Sequence, residues 1–253
     1  MTIKHKCKEA YDLVQSYLND RSHTTVKPGY ISQPQVQSSV KQKIQQSLQI
    51  LRETLKDNIN EISISYNGGK DCLVMLILIL STIHELGLDV NEDFKLPSVY
   101  INNDEPFMEV NKFITDSTKY YHLDSTIIKS DLKSGFQKYL SDNPNIKTII
   151  VGIRYSDPYG SELTYKQETD HNWPKFMRIH PILNWTYVEI WEFIVGCGLD
   201  YCCLYDKGYT SLGGVHNTVR NPQLKHGEDY LPAYMLTDNA DEYERLGRNI
   251  NRS

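Results

Sequence analysis

A chain of 253 residues with 27 basic and 32 acidic side chains has a net charge of −5 and no long basic tract, which disfavours nucleic acid as its principal ligand. The opening MTIKHKCKEAYDLV lacks the apolar core of a secretory signal, and the longest uninterrupted apolar run, Cys72 to Leu80, is too short to cross a bilayer. The expectation is one domain over residues 1–253, cytoplasmic and without a membrane partner, with a monomer the simplest assembly although the residues leave oligomeric state open.

In chain order, residues 3–18 and about 35–57 read as helices, joined by a loop around KPGY. Strand-like stretches then fall at 61–66, 96–101, 125–129 and 147–151, separated by helix-like stretches at 71–86, 106–120 and 132–142. This alternation predicts an α/β fold, a parallel twisted sheet with helices on both faces. From Gly152 onward the pattern weakens into a loop-rich part, with one helical stretch near 186–196 whose Tyr187, Trp191 and Phe193 read as core contacts. The chain therefore divides into N-terminal helices (1–57), an α/β core (61–152) and a loop-rich remainder (153–253).

The joint after the first strand, SYNGGKDC, admits two readings. Asn-Gly between strand-like segments is a hairpin signal, but the apolar run that follows is long and unalternating, which favours strand, loop and helix. Adjacent Gly68 and Gly69 let the backbone approach a ligand, and the N-terminus of a helix attracts an anion, so the loop suits phosphate. It is not a Walker A loop, because Asp71 follows Lys70 and no glycine stands five before Gly69; nor is it Gly-x-Gly-x-x-Gly. Asp71 beside phosphate makes sense when a divalent cation bridges them, which points to a magnesium nucleotide.

Further polar groups should follow the other strands. In GIRYSDPYG, Arg154 and Asp157 can form a phosphate clamp or merely brace a turn, and both readings stand. In DHNWPKFMR, Trp173 beside His171 and Asn172 can grip a flat heteroaromatic ring or be a buried loop tryptophan. In the tail NADEYERLGRNINR, Arg245 and Arg248 would share one face of a helix, aimed at phosphate or simply solvated. The five cysteines contain no Cys-x-x-Cys pair, so free buried thiols in a reducing compartment are expected. Neither Gly-x-Ser-x-Gly nor His-Glu-x-x-His occurs.

SYNGGKDC resembles the pyrophosphatase-type loop of the adenine nucleotide α-hydrolase-like superfamily, a Rossmann-like group that includes phosphoadenylyl-sulfate reductases. Together with GIRYSDPYG, RIHPILNWTYVEIWEFI, YCCLYDKGYTSLGG and LPAY…ERLGR, it is similar to the eukaryotic FAD synthase (FMN adenylyltransferase) family in its short fungal form, over about residues 38–250. The resemblance implies transfer of the adenylyl group of Mg-ATP to FMN by direct in-line attack, with FAD and pyrophosphate as products. It assigns the ATP phosphates to Asn67, Gly68, Gly69, Lys70 and Asp71, and the magnesium to Asp71. Arg154 and Asp157 would complete the centre, with Arg245 and Arg248 neutralising phosphate charge. Asp170, His171, Asn172, Trp173 and Arg178 would form the flavin pocket in the loop-rich part, and Ser65, Asn102 and Ile153 join the cofactor-binding set. Cys72 stands where the superfamily loop often carries Ser, so a hydroxyl contact is absent.

Three rival readings have their own sequence requirements. A phosphoadenylyl-sulfate reductase needs a nucleophilic cysteine in a C-terminal Glu-Cys-Gly-x-His segment, and no cysteine follows Cys203. A tRNA-adenylating enzyme needs an RNA-binding surface, against which the acidic balance counts. A non-catalytic flavin carrier would not require the phosphate loop with Asp71.

Overall fold

The computed structural model describes residues 2–20, 27–56 and 58–248. Two helices, α1 (Ile3–Leu18) and α2 (Pro34–Leu55), precede the alternation β1 (Ile62–Ser65), α3 (Lys70–Glu85), β2 (Leu96–Ile101), α4 (Met108–Tyr120), β3 (Leu123–Ile128), α5 (Leu132–Asp142) and β4 (Thr148–Val151). There follow β5 (Lys166–Glu168), β6 (Met177–Ile179), α6 (Tyr187–Gly196), a small hairpin of β7 (Lys225–His226) and β8 (Asp229–Tyr230), and the short α7 (Ala240–Tyr243).

The main sheet runs β3-β2-β1-β4-β6-β5 and is parallel except for β5. Burial alternates between its faces: Ile150 of β4 joins a core with α1, α2, α3 and α6, while Ile149 joins a second cluster with Phe136 and Tyr139 of α5. Helices therefore cover both faces. Strand order reverses between β1 and β4, which makes their carboxyl ends a topological switch point, the place where such sheets open a ligand crevice.

The helix after the phosphate loop has no solvated side. Every residue of α3 from Cys72 to Ile83 is buried, because the sheet lies beneath it and α1, α2 and α6 cover the rest. The N-terminal segment is tied down at Glu192 of α6, a buried carboxylate without a cationic partner among the described residues. It accepts hydrogen bonds from Tyr30 Oη at 2.6 Å, Ser32 Oγ at 2.8 Å and Tyr17 Oη at 3.3 Å. α6 begins at a capping box in which Thr186 and Glu189 cap each other's backbone N–H groups.

The expected strands and helices of the core are present, with ends shifted by a residue or two; residue 57, at the end of the expected second helix, lies outside the described residues. Two elements depart from expectation. β5 and β6 lie within the stretch read as loop, and their three-residue sequences, Lys-Gln-Glu and Met-Arg-Ile, are too short to show alternation. The tail helix ends at Tyr243, so Arg245 and Arg248 stand on successive turns and not on a helix. Tyr187, Trp191 and Phe193 are core residues, as read, whereas Cys203 is exposed while the other four thiols are buried. No described helix is long and apolar enough to cross a membrane.

Candidate active site

β1 delivers the chain to Asn67 at the switch point. Gly68 adopts φ +70°, and a Cβ there would stand 2.7 Å from Ile114 Cγ1, so both conformation and space demand glycine. Asn67 Oδ1 accepts the Gly69 N–H at 2.9 Å, and the Lys70 N–H that opens α3 donates to the Tyr205 hydroxyl at 3.0 Å. On the neighbouring strand Gly152 follows β4, and a Cβ there would come within 3.2 Å of the Cys72 backbone. The end of β4 therefore approaches the first turn of α3 as closely as backbones allow.

A cavity of about 300 Å³ opens over this joint. Its walls come from the phosphate loop, from Asn102 and Asp104 after β2, from Gly152 and Asp157 after β4, from residues 211–213, and from Arg245 and Arg248. Asn102 Oδ1 accepts the Asp104 N–H at 3.0 Å, which folds the segment after β2 into a turn facing the cavity.

Beneath the floor lies a buried ion cluster. The Arg154 side chain has no exposed surface: Nε is 2.8 Å from Asp71 Oδ1, Nη1 2.9 Å from Asp241 Oδ1, and Nη2 contacts Glu244 Oε2. Lys70, only 2% exposed, places Nζ 2.9 Å from Asp71 Oδ2 and against Glu244 Oε1. Asp157 stands further off, its Oδ1 3.9 Å from Arg154 Nη2, and its Oδ2 accepts the Arg154 backbone N–H at 2.9 Å. Two cations thus face four carboxylates, an excess of two negative charges at the cavity floor.

The titration shifts follow from this arrangement. Burial would raise Asp71, but the Arg154 and Lys70 charges outweigh it and hold the carboxyl below its usual value. Asp157 moves the other way, raised first by burial and then by the Asp71 charge. Desolvation opposes the charge on Lys70, yet Asp71 and Glu244 overcome it and raise its pKa. Burial pushes the Cys72 thiol up to about 12, so it is no nucleophile at neutral pH.

The arginine pair reaches the cavity through turns: Leu246 N–H donates to Tyr243 O at 3.0 Å and Arg248 N–H to Arg245 O at 2.8 Å. Arg248 Nη1 donates to Leu212 O at 2.9 Å, and its guanidinium lies where a Cβ on Gly213 would sit, 2.3 Å from Cζ. Burial and the Arg245 charge lower its pKa. Tail residues 249–253 lie outside the described residues.

The residues expected around a flat ring sit elsewhere, on the β5–β6 hairpin against the α5 face. Trp173 is 36% exposed and stands 6.4 Å, centroid to centroid, from Phe136 of α5. Asp170 and His171 are exposed and paired at 3.1 Å, a contact that lowers the Asp170 pKa. His171 and Asn172 adopt positive φ at the bend. Arg178 Nη2 donates to Glu168 O at 3.2 Å, while its Nε is buried without a partner. None of these lines the cavity, nor do Ser65 at the end of β1 and Ile153 after β4. The structure thus gathers Asn67, Gly69, Lys70, Asp71, Asn102, Asp157, Arg245 and Arg248 around one space. Arg154 lies just under it, in the cluster.

Sequence reasoning missed Glu244, Asp241, Asp104 and Tyr205. Glu244 directly precedes Arg245 in a tail weighed only for its arginines, and the surplus of acids in NADEYER was the available signal. Tyr205 lay inside a quoted segment without a role.

Comparisons with known proteins bear on this geometry. The model of the phosphoadenosine phosphosulfate reductase domain family matches residues 61–143 and 133–220. A probable FAD synthase of Schizosaccharomyces pombe is 40% identical over 191 residues, which covers 74% of this chain and 71% of that one. The flavin adenine dinucleotide synthase of Saccharomyces cerevisiae is 32% identical over 253 aligned positions, covering 89% and 78%. The crystal structure of Candida glabrata FMN adenylyltransferase in complex with FMN and the ATP analogue AMPCPP aligns with a TM-score of 0.85 at 30% identity, over 98% of this chain and 100% of that one. The same Candida protein has also been solved with FAD and inorganic pyrophosphate.

Proposed function

Because the chain belongs to the FAD synthase family, we propose that it transfers the adenylyl group of ATP to the phosphate of FMN, yielding FAD and pyrophosphate. The observation that carries the reading is the convergence of the α3 N-terminus, Asp157, Arg245 and Arg248 on one cavity at the switch point of the sheet. An FMN phosphate oxygen forms a bond to the α-phosphorus as the bond from that phosphorus to the bridging oxygen breaks, and pyrophosphate departs. The nucleophile is already an anion at neutral pH, so positioning and charge neutralisation suffice. Arg245 and Arg248 oppose the phosphate charge, while Asn67, Gly68 and Gly69 shape the loop that receives it. Lys70 and Arg154 act through the carboxylates they hold, fixing Asp71 and Glu244 at the cavity wall.

Magnesium fits this donor set. Asp71 Oδ1, although 2.8 Å from Arg154 Nε, has no aligned hydrogen bond, and Asp157 keeps one oxygen loosely paired. No group of three potential metal ligands occurs among the described residues, which suits an ion that takes one or two carboxylates and completes its shell with phosphates and water. Asp71 and Asp157 would hold it, and when bound it would neutralise phosphate charge and polarise the reacting phosphoryl group.

We assign the flavin ring to the β5–β6 hairpin. Trp173 offers a part-exposed aromatic face, Asp170 an acceptor, and Arg178 an unpartnered Nε–H for a polar ring edge. His171 and Asn172 form the bend that presents them. Asn102, just after β2, completes the nucleotide side, while Ser65 and Ile153 stand at or just after the ends of β1 and β4, off the cavity wall. One apolar cluster runs from Ile3 to Ala240, which supports a single catalytic unit, and five free cysteines support a reducing, cytoplasmic location.

The test is incubation of the purified protein with FMN, ATP and magnesium, with riboflavin and magnesium-free controls, and chromatography of the products. Equimolar FAD and pyrophosphate that require both FMN and metal are expected. Folded protein that binds ATP but forms no FAD would overturn the reading.

A further inference from the structure

Tyr205 opens a single 3₁₀ turn, Tyr205–Lys207, which closes on Gly208 at φ +88°. Its side chain is 2% exposed, and the ring is held edge-on by Trp191, with centroids 5.2 Å apart and planes at 80°, and by Tyr201 at 6.2 Å and 73°. This packing leaves the ring one orientation, with the hydroxyl over the phosphate loop. The oxygen accepts the Lys70 N–H at 3.0 Å and lies 3.8 Å from where a Cβ on Gly69 would stand. That bond is the only one the hydroxyl makes among the described residues, so its own proton has no acceptor. The residue lines the cavity beside Asn67, Gly69 and Lys70.

A buried hydroxyl with an unused proton at the edge of a polar cavity is a donor lacking its acceptor. The first donors of the phosphate loop are already engaged: the Gly69 N–H by Asn67 and the Lys70 N–H by Tyr205 itself. Lys70 Nζ is likewise engaged below the floor, by Asp71 and Glu244. The Lys70 N–H at the positive end of α3 therefore reaches the cavity through the phenol. A hydroxyl whose oxygen accepts from such an N–H is polarised and becomes a stronger donor. Burial, against an opposing Lys70 charge, keeps the phenol well above its ordinary range, so the proton is present at neutral pH. Among a nucleotide's phosphates, the β,γ pair carries the most negative charge and gains most from the helix N-terminus.

We propose that Tyr205 is a further substrate-binding residue, whose hydroxyl donates to a phosphoryl oxygen of the pyrophosphate that leaves ATP. The proposal rests on adenylyl transfer as the reaction of this cavity. It makes Tyr205 contribute twice, since negative charge grows on the bridging oxygen and the departing phosphates as the bond breaks.

The test compares the full chain with Tyr205→Phe, with a variant carrying 4-aminophenylalanine in place of Tyr205, and with Tyr201→Phe as a control from the same aromatic cluster. Calorimetry reads the affinity for inorganic pyrophosphate with magnesium, steady-state assays read kcat and KM, and thermal melts check folding. In Tyr205→Phe we expect pyrophosphate binding weaker by about tenfold or more and kcat lower by roughly 10- to 100-fold, with the KM for FMN unchanged. The amino variant keeps a donor but is a poor acceptor, and should recover affinity to within about threefold of the native protein, while Tyr201→Phe should match it. Pyrophosphate affinity and kcat within about twofold of native in Tyr205→Phe, or a loss that the amino variant fails to rescue, would reduce the hydroxyl to a cap on α3 and overturn the proposal. Native protein that forms no FAD would overturn the adenylyl-transfer reading alone, and the pyrophosphate comparison would still decide Tyr205.

Discussion

Arg154 and Arg248 are both arginines beside a phosphate loop, yet their surroundings give them opposite tasks. Arg154 is fully buried with its guanidinium committed to three carboxylates, so it holds the site's floor in place. Arg248 lines the cavity with a single carbonyl hydrogen bond and carries charge that a phosphate can use. Arg248→Ala should therefore lower kcat by about 10²- to 10³-fold with the fold intact, as for loss of one electrostatic donor. Steady-state FAD formation checks this, and near-native turnover would remove Arg248 from the mechanism. Glu244 is the complementary case, a buried anion shared by Lys70 and Arg154. Glu244→Gln removes the anion that Lys70 and Arg154 share, while Asp71 still pairs both cations and Asp241 still pairs Arg154, so it should destabilise the protein by about 1.5–3 kcal/mol in urea unfolding. A loss under 1 kcal/mol would mean that the cluster relaxes around Asp71. From sequence, Arg154 and Asp157 could be clamp or brace, because whether a charge faces solvent, ligand or its own kind depends on elements far apart in the chain.

At the scale of elements, the two N-terminal helices are joined to α6 by hydroxyls converging on one carboxylate. Tyr30 lies in the connection between α1 and α2, and its hydroxyl meets Glu192 at 2.6 Å while its ring packs edge-on against Tyr234, with centroids 5.8 Å apart. Tyr30→Phe keeps the ring and removes one hydrogen bond to a buried charge, a loss of about 1.5–3 kcal/mol. Chemical denaturation would show it, and an unchanged midpoint would mean that Ser32 and Tyr17 satisfy Glu192 alone. This anchorage had no sequence signal: Tyr30 ends KPGY and Glu192 lies inside RIHPILNWTYVEIWEFI, but nothing in either segment points to the other as its partner. The alternating core was legible because α3 is a long unbroken apolar run and the strands around it carry β-branched residues at regular intervals. The β5–β6 pair was not, because a three-residue strand takes its identity from the neighbour it pairs with.

At the scale of the whole molecule, the helices and core strands follow from local periodicity, whereas the site depends on five distant segments folding to one point. The phosphate loop could be read in isolation because glycine, lysine and aspartate at a strand end have few other uses. Its supporting carboxylates could not, since they return from residues 241 and 244. A shorter-range closure, by the segment leading into β5, meets the buried His180 just past β6, whose Nδ1 lies 2.7 Å from the Thr164 carbonyl. Burial first, with the Arg178 charge adding to it, lowers its pKa below 6.5. A folded-state pKa below the unfolded one means that the unfolded chain binds the proton first as pH falls. The stabilisation is thus fully present above pH 6.5 and declines as pH drops through 6.5 toward the folded value. One such group gives a slope of at most about 1.4 kcal/mol per pH unit. Asp71 adds a second, more acidic loss: held below 3.8, it contributes above that value and loses the contribution as pH falls through its folded pKa. Asp157, raised above 3.8, runs oppositely, its contribution present below 3.8 and lost as pH rises through its folded value. Unfolding free energy measured from pH 7 to pH 5 should therefore fall in the native protein and lie flatter in His180→Asn, whose amide can still donate to Thr164. An equal slope in both proteins would place the acid sensitivity outside the closure that meets His180.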